Sequence, residues 1–204
     1  MGRRDAWTLL FDSDDQPLPP DAPPEAVGEF AVRLGFADVG WMDVEILAGR
    51  QAFDFRTSYV FDPYPEILKW LEAVASGGAG RVEIDGEGCA THLIVAAAQT
   101  DAIRFTVIDE HSGPGRPLTR KVSRTIDGHK YTFELLCDVE LPGRKFVAEF
   151  YGGLRAGWES PSAESFWERW YNTTVDHWAE NYDVPFAEAQ YAMQSDIIDD
   201  YLGR

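Results

Sequence analysis

The side chains best suited to chemistry gather where an alternating stretch runs out into a loop. Asp109 and His111 flank Glu110, the breaker-rich run His111-Ser112-Gly113-Pro114-Gly115-Arg116-Pro117 follows, and Arg120 and Arg124 come next. Arg120, Val122 and Arg124 share one face of a strand, so two guanidinium groups there suit a phosphate or a carboxylate. His111 and Asp109 lie at the loop beside them. Asp109, His111, Arg120 and Arg124 therefore form a candidate site for a small anionic ligand. The same basic segment, Arg116 to Lys130 with only Asp127 opposing it, equally suits an edge strand protected by its charges, or an internal match for acidic side chains.

Other groupings point less sharply. Asp85, Glu87 and Asp109 approach one another if the strands pair as hairpins, and paired carboxylates bind cations or exchange protons. Asp85-Gly86-Glu87-Gly88 reads just as well as a turn. His92, His111, His129 and His177 are dispersed, with neither i,i+4 spacing nor a Cys-x-x-Cys partner, so no metal or cofactor is expected. His92 lies on the opposite phase from Leu93 and is expected at the surface. Phe11-Asp12-Ser13-Asp14 resembles the Asp-x-Asp pair of haloacid-dehalogenase-like phosphatases, with Asp199-Asp200 as distal acids. Gln16 stands where that motif takes Thr, and the required strand–helix alternation is missing, so a turn is the better reading. No Gly-x-Ser-x-Gly elbow occurs. Trp158, Trp167, Trp170 and Trp178 fall in a helical region, where such a stripe is core or, if exposed, a set of anchors for a partner.

Charge bounds the partners. The chain carries 35 acidic against 18 basic residues, a formal net of −17, which disfavours nucleic acid and favours a basic protein or plain solubility. Ten of the acids and only two bases lie from Glu159 onward, so the outer face of the C-terminal helices is expected to be strongly negative. Cys89 and Cys137 sit on buried phases and read as free thiols in a reducing compartment. The longest apolar run, Leu93 to Ala98, is far too short to cross a membrane, and no leader pattern opens the chain; a cytoplasmic protein is expected.

Periodicity supplies the elements that would hold these residues. Ala6 to Phe11 reads as a strand, a proline-rich loop follows, and Glu25 to Leu34 fits a short helix or an extended segment. Met42, Val44 and Ile46, then Phe53, Phe55 and Thr57, alternate about Ala48-Gly49-Arg50 as a hairpin. Pro63 and Pro65 open an amphipathic helix, with Asp62 as its cap. Ile67, Leu71 and Val74 form its apolar stripe, and Gly77-Gly78 closes it. Hairpins are expected at Asp85-Gly86, near Thr100-Asp101 and at Asp127-Gly128. The last of these returns as Tyr131, Phe133, Leu135, Cys137 and Val139 on one phase. Phe146, Val147, Phe150, Tyr151 and Leu154 mark a helix that Gly152-Gly153 weakens by roughly 2 kcal/mol. Ser160-Pro161 starts another, and Met193, Ile197, Ile198, Tyr201 and Leu202 mark the last. The whole reads as one α+β domain over residues 1–204: a mainly antiparallel meander with a helix on one face (1–140), then a helical part (141–204).

Ser58 to Leu71 and the run Glu83-Ile84-Asp85-Gly86-Glu87-Gly88 resemble the layout of small uncharacterised bacterial proteins, some of which act as immunity partners of secreted toxins. The likeness covers about Phe53 to Asp109 and carries no catalytic residue across. With the acidic balance, it implies a non-enzymatic protein that binds a basic partner, possible self-association through the aromatic helices being a further expectation. The alternative is the anion site at residues 109–124.

Overall fold

A computed structural model of the chain describes residues 24–36, 41–58, 63–86, 90–98, 101–109, 121–126, 129–166 and 193–204. The fold is α+β, as the periodicity predicts, but its strands form two sheets where one meander was expected. In chain order they are β1 (Glu25–Ala26), β2 (Phe30–Phe36), β3 (Trp41–Ala48), β4 (Gln51–Ser58), β5 (Gly80–Asp85), β6 (Ala90–Ala97), β7 (Ala102–Asp109), β8 (Lys121–Ile126) and β9 (His129–Pro142). Three helices are α1 (Tyr64–Ala75), α2 (Gly143–Trp158) and α3 (Asp196–Leu202), and residues 161–166 are also helical. The stretch from Glu25 to Leu34 is thus extended.

The small sheet, β2-β3-β4, is antiparallel throughout. Ala48 pairs with Gln51 across a two-residue turn in which Gly49 takes φ 62°, the left-handed region that an L side chain adopts only under strain. Strict alternation sends Phe30, Val32, Leu34, Met42, Val44, Ile46, Phe53 and Phe55 inward. The other face is turned to solvent.

The large sheet runs β1-β9-β7-β6-β5, with β8 also paired to β9. Glu134 of β9 pairs with both Asp109 and Lys121, so β7 and β8 flank β9 on opposite sides. This is not the order of a meander, which would put β8 between them. The reason is the length of β9: its 14 residues give β7 the C-terminal half and β8 the N-terminal half. The Asp85-Gly86 turn is also longer than expected, since Asp85 pairs with Ala90 and leaves residues 86–89 between the strands. A bulge breaks the expected phase of β9. Val107 pairs with Cys137 but Ile108 with Leu135, so Leu136 is extra. Cys137, Val139 and Leu141 therefore face the main core, while Phe133 and Leu135 are buried on the far face, outside it.

The core lies between the two sheets' inner faces and the helices. Helix α1 buries Tyr64, Ile67, Trp70, Leu71 and Val74. Its end is a Schellman closure: the Gly77 amide donates to the Val74 carbonyl at 2.9 Å and that of Gly78 to Ala73 at 2.8 Å. Pro63 occupies the N-cap position without a side-chain cap; Asp62 lies outside the described residues. Trp70, Phe105, Phe146, Phe150 and Phe30 meet ring to ring, with centroids 5.0–6.5 Å apart. A second aromatic group joins Phe36, Tyr64, Trp158 and Phe166. The Ser195 hydroxyl caps α3 by accepting from the Ile198 amide and donates to Glu72 of α1 at 2.7 Å, and the Ser195 amide donates to the Tyr151 hydroxyl of α2 at 2.9 Å. Ile198 is buried beneath it, while Ile197, expected in the same apolar stripe, is exposed.

The glycine pair of α2 divides in function. A Cβ on Gly152 would meet nothing within 4 Å. One on Gly153 would collide with the Val32 carbonyl, and one on Gly157 with the Leu34 side chain, because α2 lies directly on β2. Gly152→Ala should therefore raise stability by about 0.5–1 kcal/mol. Gly153→Ala should lower it by about 1–3 kcal/mol through overpacking, and Gly157→Ala likewise. Urea unfolding of the three variants checks the contrast; equal effects at 152 and 153 would contradict the close approach.

Candidate functional site

Of the four residues of the candidate anion site, Asp109 and the backbone of Arg124 are described. Asp109 ends β7 and is half-buried, while Arg124 stands on β8, opposite Tyr131 and three residues along from the row that holds Asp109, Glu134 and Lys121. With β9 between them, two strand spacings and three residues separate the two backbones by about 14 Å. His111 and Arg120 lie outside the described residues. Asp85 and Asp109 point to opposite faces: Asp85 pairs with Ala90 and Asp109 with Thr91, which are one residue out of phase. Glu87 lies outside the described residues, and among those described no three His, Cys, Asp or Glu side chains group closely enough to hold a metal. Asp199 belongs to α3, 3.9 Å from Arg155, and Asp12 and Asp14 are outside the described residues.

Of the four tryptophans, Trp158 is 3% exposed and packs edge-on against Phe36 and Tyr64, so it is core and cannot anchor a partner. Trp167, Trp170 and Trp178 lie outside the described residues. His92, expected at the surface, is buried, because β6 is an interior strand covered on both faces: Thr91, Leu93 and Val95 inward, His92, Ile94 and Ala96 on the far side. Its Nδ1 is 3.7 Å from Glu83. On the same face, two rows along from His92, the Arg104 guanidinium donates two hydrogen bonds to the Asp138 carboxylate, at 2.7 and 2.8 Å, and Thr106 adds a third at 3.2 Å. Asp138 is 1% exposed, so this fork holds a charge out of water.

What sequence reading passed over is the solvent face of the small sheet. The strand register lines its side chains up in rows. Ala31, Leu47 and Ala52 form one row across β2, β3 and β4; Arg33, Glu45 and Asp54 form the next; Gly35, Asp43 and Arg56 form the third. Two alanine methyls on either side of Leu47 leave a hollow, and an open depression of about 350 Å³ lies over the first two rows. Leu47 is 41% exposed, one of two large apolar side chains that are exposed among the described residues. Glu45 and Asp54 are directly opposed across β3 and β4, with Arg33 on the other side of Glu45. In the third row Arg56 donates to Asp43 at 2.9 Å and lies over the Trp41 ring at 5.9 Å. The row that adjoins Leu47 thus holds two carboxylates and one guanidinium. A signal for it was present: in a strand whose inward set is Met42, Val44, Ile46 and Ala48, Leu47 is apolar on the polar phase.

No protein-family model matches the chain, and neither a curated protein nor a solved structure is found similar to it. Its function is read from the chemistry of its own surface.

Cys137 is enclosed on the inner face, and burial, with the Asp138 and Glu25 carboxylates adding, pushes its thiol up from 9.0 to about 12. The neutral thiol is neither nucleophile nor metal ligand near neutral pH. Because the folded value is the higher one, the stability linked to it is complete below pH 9 and is lost as pH rises toward 12. Iodoacetamide at pH 8 should leave Cys137 unmodified in the folded chain and alkylate it in denaturant, as read by peptide mass spectrometry. Equal labelling in both states would contradict the enclosure. The Arg104 fork gives a second test. Arg104→Met should cost about 3–5 kcal/mol by stranding the Asp138 carboxylate, whereas Arg104→Met with Asp138→Leu should cost less than the single change. Denaturant midpoints of the two variants decide it.

Proposed function

We propose that this chain is a protein-binding domain that takes a basic partner onto the outer face of β2-β3-β4. The observation that carries the reading is the open depression at Leu47, walled by Glu45 and Asp54. An apolar anchor point with charge around it is the anatomy of a recognition surface, and one with an acidic wall selects cationic side chains. The net charge of −17 supports the same partner, since it draws in a basic protein from a distance and repels acidic ones. Leu47 and the two acids do nothing for the core: they lie on the face opposite the buried set. The resemblance to bacterial immunity partners suggests one form for such a complex, the chain binding and blocking a basic toxin.

The test is capture from bacterial extract on the immobilised chain at low and moderate salt, with mass spectrometric identification of what is retained, followed by the association rate of that protein. The association rate should fall about tenfold or more as salt is raised, as expected for steered encounter. Glu45→Lys with Asp54→Lys should abolish retention while the circular dichroism spectrum stays native. Retention that ignores both salt and the charge reversal would overturn the reading.

A further inference from the structure

One row along from Leu47, the outer face of the small sheet holds a donor and an acceptor without partners. Arg33 and Glu45 are exposed and directly opposed across β2 and β3, yet they form no ion pair with each other, and among the described residues neither has a side-chain hydrogen bond or salt bridge. Asp54, the third member of that row, has an interaction of its own within the chain and takes no part. We propose that the depression is a receptor for one tyrosine side chain of the partner, with the ring on Ala31, Leu47 and Ala52 and the hydroxyl between Arg33 and Glu45. The inference rests on the protein-binding reading above and names the group recognised.

Successive rows on one face of a strand lie about 7 Å apart. The row of Ala31, Leu47 and Ala52 is apolar and the row of Arg33 and Glu45 is polar, so a side chain laid across both is apolar along its body and polar at its tip. Serine and threonine are too short for this, and leucine or phenylalanine brings nothing polar to the second row. The chemistry of the second row selects the tip. A guanidinium only donates and a carboxylate only accepts, and on opposed positions of neighbouring strands their Cβ atoms are about 5 Å apart. A phenol hydroxyl answers both: its oxygen accepts from Arg33 while its O–H donates to Glu45. An indole N–H, an ammonium or a guanidinium can only donate, and would leave Arg33 unmet. An amide both donates and accepts but has no apolar body to cover Leu47. The open hollow between the two alanines, about 350 Å³, has room for one ring. Tyrosine is also a residue on which protein interfaces concentrate their binding energy, because a stiff apolar ring is buried while its tip stays hydrogen-bonded.

Nuclear magnetic resonance titration of the full chain with blocked single amino acids tests this directly. The probes are N-acetyl-tyrosinamide, the phenylalanine analogue, which lacks the hydroxyl, the O-methyltyrosine analogue, which accepts but cannot donate, and N-acetyl-lysinamide. The tyrosine probe should saturate shifts at the amides of Ala31, Arg33, Glu45, Leu47 and Ala52, with the other three each at least about threefold weaker. Arg33→Thr with Glu45→Thr, which suits a strand, should bring the tyrosine probe down to the phenylalanine value and leave the phenylalanine probe unchanged. Equal affinity for tyrosine and phenylalanine, or no saturable shift on this face, would overturn the proposal. So would movement of the same amides on diluting the chain alone, which would give the face to a second copy. The two readings fail separately. A basic protein captured through this face, with no preference for tyrosine over phenylalanine, removes the tyrosine receptor alone. Preference as stated, with no basic protein retained, removes the protein-binding reading alone.

Discussion

The arrangement depends on how closely α2 comes to β2. Phe146, Phe150, Gly153 and Gly157 follow one another at spacings of four, three and four residues, so they form a single stripe along one face of the helix. At its start the stripe carries two phenyl rings, which fill the wide space among Phe30, Trp70 and Phe105. Farther along it carries no side chain at all, and there the helix backbone lies on Val32 and Leu34. The stripe tapers as the gap does. Since α2 continues directly from β9 of the large sheet and lands on β2 of the small one, this taper joins the two sheets into one core. A glycine-for-alanine exchange in an exposed helix costs under about 1 kcal/mol, less than an overpacked seam, so Gly153 and Gly157 are a net gain here.

Once α2 is fixed, the C-terminal helix has a platform. Seven residues form no stable helix alone, because nucleation outweighs the few hydrogen bonds gained. Helix α3 is held from outside itself: Ser195 ties its start to α1 and α2, Arg144 donates to the Leu202 carbonyl at 2.6 Å near its end, and Arg155 faces Asp199. Each of these partners belongs to α1 or α2. Helix α3 thus seals the junction of the two longer helices, and Gly203 ends it in the left-handed conformation at φ 71°.

Local pattern was legible and its breaks were not. The hairpin of β3 and β4, the stripe of α1 and its glycine closure, and the inward set of α2 all follow from period and punctuation, which are properties of neighbouring residues. Three features are properties of distant ones. His92 was assigned to the surface because it alternates with Leu93, but alternation exposes a residue only on a strand with one open face, and β6 has none. Phe133 and Leu135 share a phase with Cys137 in sequence, and Leu136 separates them in space; no residue type announces such a bulge. The crossing of β8 to the far flank of β9 puts the backbones of Asp109 and Arg124, close along the chain, on opposite sides of that strand. Leu47 was readable as a departure from its own strand's alternation, and it lies in the depression.

That departure sets the outer face of the small sheet apart from the rest of the fold. The inner faces of both sheets are occupied by the aromatic core, where a change of one methylene is felt and selection for packing dominates. On the outer face of β2-β3-β4 the same logic would place mixed charges in attractive pairs and no large apolar side chain, as Asp43 and Arg56 illustrate in the third row. The first two rows do the opposite: they expose Leu47 and set Glu45 against Asp54. An exposed Leu47 costs the isolated chain a fraction of a kilocalorie, small enough for a well-packed core to carry. The outer face of β2-β3-β4 is therefore where the sequence departs from the rules of a stable strand, and the inner face, a residue away on every strand, is where it keeps them.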